Sequence, residues 1–87
     1  MDKSEIEKNL DFVFRNIVSD QTLEALKSSY DTLADVSISQ LGVDSLEIIK
    51  IFFNLEEMLK IQLDYEKLDL EQISTPRKII EFIDTNS

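Results

Sequence analysis

Apolar residues recur along the chain at helical intervals, in runs separated by Ser, Asp and Thr. Ile6, Leu10, Val13, Phe14, Ile17 and Val18 form the first stripe. Steps of three and four place them on one face of a helix. Ser4 and Glu7 stand at the spacing of a capping box, and together these features predict a helix from about residue 4 to about residue 19. Ser19-Asp20-Gln21-Thr22 breaks the stripe and can cap a new turn. Leu23 and Leu26 then predict a short helix ending near Ser28-Ser29. Tyr30 to Leu41 has no sustained period. Leu33, Val36, Ile38 and Leu41 are scattered among Asp and Ser, which predicts a long ordered loop pinned to the core by those side chains. Long loops in compact domains are uncommon and often functional.

Leu41-Gly42-Val43-Asp44-Ser45-Leu46-Glu47 follows, and it carries the only glycine in the chain. Asp44 can act as N-cap and Glu47 stands three residues on, a capping box with Asp in place of Ser or Thr. The helix it starts is expected from about Ser45 to about Lys60. At about 100° per residue, Ile48, Ile51, Phe52, Leu55, Met58 and Leu59 share one arc, assigned to the core. Glu47, Lys50, Asn54, Glu56, Glu57 and Lys60 occupy the other side. Leu46, Ile49 and Phe53 also fall on that polar side, as a second, narrower apolar stripe. Either the loop or a neighbouring helix covers this stripe, or a partner does.

Leu68, Leu70 and Ile73 give a weak period, enough for one or two helical turns. Thr75 and Pro76 are the N-cap and first position of a last helix, whose buried face is expected to be Ile79, Ile80, Phe82 and Ile83. Asn86-Ser87 should fray. No strand-type alternation competes. The pattern predicts an all-α fold: a single small bundle of three main helices plus one short helix, with a long loop between the first and second main helices.

Composition narrows the chemistry. The 87 residues include no cysteine and no histidine. Disulfides, Cys/His zinc sites and Ser-His or Cys-His nucleophile pairs are thereby excluded. A carboxylate-only Mg²⁺ or Ca²⁺ site has no EF-hand spacing to support it, so no metal is expected. The formal net charge is −9, which disfavours nucleic acid and anionic membrane surfaces and either favours basic protein partners or only keeps a small protein in solution. No signal-peptide pattern and no bilayer-length apolar run is present. A cytoplasmic, monomeric protein is expected.

Catalysis by side chains is poorly supported. Asp44, Glu47, Glu56 and Glu57 lie on or near one helix, with no second element to bring a partner carboxylate to them. A single glycine cannot build a phosphate-cradling loop. Ser45 is different. It lies in the first helical turn, near unpaired backbone N–H groups and the positive end of the helix dipole, where an attached phosphate is favoured. It is either a helix-start residue only or a covalent attachment point.

The heptapeptide around Ser45 resembles the phosphopantetheine attachment motif of acyl and peptidyl carrier proteins, L-G-x-D-S-L, intact here as Leu41-Gly42-Val43-Asp44-Ser45-Leu46. The likeness extends to length, acidity, the helical pattern and the Ser-Thr-Pro start of the last helix. It implies that Ser45 carries 4′-phosphopantetheine, installed from coenzyme A by a phosphopantetheinyl transferase, and that Asp44 aids recognition as well as capping the helix. It implies a non-catalytic carrier that holds acyl groups as thioesters. An acyl- or aminoacyl-loading enzyme and downstream synthases or transferases with basic surfaces would dock on the helix after the serine. Leu46, Ile49 and Phe53 match the apolar docking positions of the family, and Glu47, Glu56 and Glu57 match its acidic ones. Lys50 stands where fatty-acid carriers are usually acidic, and Phe53 is bulkier than usual. Both departures point to a specialised fatty acid or polyketide-type pathway. An aminoacyl or peptidyl carrier is the alternative within the family. A helical interaction module with Ser45 only a cap is the alternative outside it.

Overall fold

The computed structural model describes all 87 residues, and its regular elements are all helices. Helix α1 spans Lys3–Phe14, α2 Asp20–Ser28, α3 Tyr30–Leu33, α4 Ser45–Leu59 and α5 Pro76–Asn86, with 3₁₀ turns at Ile38–Leu41 and Leu70–Ile73. α1 is central, packing against α2, α4 and α5. Its Leu10, Val13 and Phe14 are fully buried. They meet Leu23 and Leu26 of α2, Ile51, Phe52 and Leu55 of α4, and Ile79, Ile80 and Ile83 of α5 in one continuous core. This burial is the main force holding such short helices, which are marginal in isolation.

α1 departs from its expected bounds at both ends. The N-cap is Asp2, whose carboxylate accepts from the Glu5 N–H at 2.9 Å, rather than Ser4 with Glu7. The helix stops at Phe14 because Arg15 turns extended and Asn16 adopts a left-handed φ of 65°. Ile17 and Val18 keep the apolar period, yet they are buried from the turn that follows. A short polar side chain such as Asn tolerates that backbone region better than most. α2 matches expectation: Ser19 caps it through the Thr22 N–H, and it ends at Ser28.

The expected loop over residues 30–41 contains the single turn α3 and a 3₁₀ turn. Its anchors are partly as expected: Ile38 is buried, while Leu33 and Leu41 are partly buried against the core. Polar ties complete the attachment. The Ile38 N–H donates to the Ser74 carbonyl at 2.9 Å, and the Arg77 N–H donates to the Ala34 carbonyl at 2.9 Å. The Arg77 guanidinium also grips both oxygens of Asp35, at 2.8 and 3.3 Å, and lies 6.0 Å from the Tyr30 ring centroid. Both start signals of α5 operate as read: Thr75 accepts from the Lys78 N–H and Pro76 takes the first position. Phe82 is only partly buried, whereas Ile79, Ile80 and Ile83 form the inner face.

Candidate functional site

The stretch before α4 is fixed on both sides. Ile38 and Val43 are buried, and the Val43 N–H donates to the Ile38 carbonyl at 3.1 Å. Between them Gly42 adopts φ 99° while its N–H closes the 3₁₀ turn. That region is strained for any side chain, even though a Cβ here would meet open space.

Asp44 follows as N-cap. Its carboxylate accepts from the Glu47 N–H at 2.9 Å, and the Glu47 carboxylate accepts from the Asp44 N–H at 3.1 Å. The capping box is complete, and it leaves Ser45 without a structural task. Ser45 is the first residue of α4, exposed, and its hydroxyl makes no hydrogen bond within the protein. Both neighbouring carboxylates are occupied by backbone donors. A phosphoester on the Ser45 oxygen would therefore meet open solvent and the positive end of α4.

The two faces of α4 separate as the period predicts. Ile51, Phe52 and Leu55 are buried, and Ile48, Met58 and Leu59 pack against them. The second stripe stays largely open: Leu46 is 73% exposed, Ile49 47% and Phe53 56%. Glu47 is half-buried within the capping box, while Lys50 and Glu57 are exposed. Asn54, expected on the solvent side, is partly buried and donates to the Val13 carbonyl at 2.9 Å, tying α4 to the end of α1.

Glu56 is turned toward the chain itself. Its carboxylate accepts from the Leu63 N–H at 2.9 Å and from the Tyr65 hydroxyl. The Tyr65 ring stands edge-on to both Phe52 and Phe53, with centroids 6.0 and 6.1 Å apart. Glu56 thus clasps the segment after α4, and Tyr65 extends the exposed stripe beyond Phe53. Sequence reasoning did not single out Tyr65, because no local period links it to α4.

The two hydrogen bonds, Tyr65 first and then Leu63, hold the Glu56 carboxyl below its ordinary value of 4.5. Desolvation, then the Glu56 carboxylate, push the Tyr65 phenol up to about 12. The clasp is therefore intact near neutrality. A folded-state carboxyl that is depressed stabilises above the ordinary carboxylate range and ceases to as pH falls through the depressed value. In an acid titration followed by NMR, the Leu63 amide should shift with a midpoint below 4.5. Glu56→Gln should remove that titration while α4 stays folded. A midpoint at or above the ordinary value would contradict the clasp.

A family model described as "Phosphopantetheine attachment site" matches residues 13–83. The matched span includes Ser45, α4 and the Tyr65 segment. No curated protein and no solved structure matches the chain. No helix is long and apolar enough to cross a membrane.

Proposed function

The chain belongs to the phosphopantetheine-attachment family, and on that premise we propose that Ser45 is the residue bearing the arm, in an acyl carrier that spans residues 1–87 as one cytoplasmic, monomeric domain. The family carries 4′-phosphopantetheine, and its domains are carriers that work with a phosphopantetheinyl transferase and with synthesis enzymes. The observation that carries the assignment is the division of labour at the start of α4. Asp44 and Glu47 hold the helix end, and the Ser45 hydroxyl is exposed and unpartnered.

When bound, the arm supplies the thiol that this chain lacks. The protein's own part is to present the Ser45 oxygen, to keep Asp44 and Glu47 engaged beside it, and to offer Leu46, Ile49 and Phe53 to docking enzymes. The net charge of −9 suits basic partner surfaces and favours acyl over aminoacyl cargo. Lys50 and the bulk of Phe53 favour dedicated partners in a specialised fatty acid or polyketide-type pathway. Intact-mass measurement after incubation with coenzyme A and a broad-specificity transferase tests the reading. One phosphopantetheine per chain is expected, and no gain with several transferases would overturn it.

Exposure of Phe53 separates its docking role from folding. Phe53→Ala should change stability by less than about 1 kcal/mol in urea unfolding, because the ring has little core contact to lose. The same variant should raise the carrier KM of the transferase several-fold. A larger stability loss would place the ring in the core instead.

A further inference from the structure

Lys50 breaks the acidic pattern of α4, and the structure shows what stands beside it. The turn after α1 brings Arg15, Asn16 and Ile17 against α4, where with Lys50, Phe53 and Asn54 they line an open cleft of about 270 Å³. Of the chain's 27 formally charged side chains, 18 are carboxylates and 9 are cations. The cleft lining nevertheless holds two cations and no carboxylate. Lys50 forms no ion pair. Arg15 is held by Asp11, which also takes Lys27 at 3.3 Å, yet the Arg15 side chain remains 61% exposed. The left-handed Asn16 fixes the turn that places Arg15 here. Asn54 is immobilised by its bond to Val13, and the exposed Phe53 ring forms the apolar wall.

We infer that this cleft receives an acidic side chain of a docking enzyme, an Asp or Glu next to an apolar residue that rests on Phe53. The inference deepens the carrier reading and rests on it. Charge complementarity selects the occupant: the unpaired Lys50 attracts a carboxylate and repels a basic group, and Arg15, though paired with Asp11, adds its exposed flank to that field. The docking face then has two signs. Its Asp44–Glu47 end suits a basic partner residue and its Lys50–Arg15 flank suits an acidic one. Opposed charges along one helix fix the orientation of a basic partner that also presents one acidic residue.

The test is an amide NMR titration of the unmodified protein with three capped peptides, carrying Glu-Leu-Glu, Gln-Leu-Gln or Lys-Leu-Lys, and with inorganic phosphate. Glu-Leu-Glu should shift Asn16, Ile17, Lys50, Phe53 and Asn54 saturably, and more strongly than the other probes. Lys50→Glu should weaken that response about threefold or more, the scale of one exposed ion pair, and Lys50→Arg should retain it. Equal shifts from Gln-Leu-Gln or Lys-Leu-Lys, no shifts with Glu-Leu-Glu, or an unchanged response in Lys50→Glu would overturn the inference. Phosphate acting as strongly as the acidic peptide would reduce the cleft to an unspecific anion site and overturn it too. Arm loading of the wild-type chain, read by mass, reports separately on Ser45, so failure of the carrier reading is distinguishable from failure of the cleft.

Discussion

Leu55→Ala should lower the stability of the protein by about 3 kcal/mol, within the range for a fully buried leucine. Leu55 has no exposed surface and sits in the continuous core with Ile51 and Phe52. For a domain of this size, that loss corresponds to a fall in Tm of roughly 15 °C. Thermal unfolding followed by circular dichroism checks it, and a loss under about 1 kcal/mol would mean that the inner face of α4 is misassigned. The contrast with Phe53, two residues earlier on the same helix, is the informative part. One helix carries two apolar faces, and only one of them holds the fold together.

Ser45→Ala should abolish phosphopantetheine loading and leave the fold untouched. Asp44 satisfies the Glu47 N–H and Glu47 satisfies the Asp44 N–H, so removing the Ser45 oxygen orphans no backbone group. The stability change should stay within about 0.5 kcal/mol, as for other exposed positions without such a feature. Asp44→Ala should instead cost about 1 kcal/mol through loss of the cap and slow loading without abolishing it, because the Ser45 oxygen is still present. Measured together, unfolding and loading of the two variants separate the residue that holds the helix from the one that offers the oxygen. A Ser45→Ala protein that still gains the arm would move the attachment elsewhere.

What the sequence made legible was local. Asp44 and Glu47 lie within one turn, and their reciprocal bonds follow from spacing alone. Thr75 and Pro76 announced α5 in the same way, and the two faces of α4 follow from a 3.6-residue period. What the sequence concealed depends on contacts between distant segments. Nothing in Ile17 and Val18 shows that they enter the core from a turn, because the break rests on the backbone of Arg15 and Asn16. Glu56 reads as one more surface acid until the chain returns with Leu63 and Tyr65. Asn54 reads as solvent-facing until Val13 presents its carbonyl. Lys50 could be seen as a departure in sequence, but its neighbour Arg15 comes from another helix end. The site's centre was therefore visible from residues 41 to 47, and its flanks only in three dimensions.

The central claim is that the arm sits on the Ser45 oxygen, and fragmentation of the loaded protein tests it most directly. After incubation with coenzyme A and a transferase, the peptide containing residues 41–50 should carry the whole phosphopantetheine mass, with fragment ions placing it on Ser45. Phosphopantetheine on any other residue, or none on that peptide while the intact chain gains mass, would contradict the account.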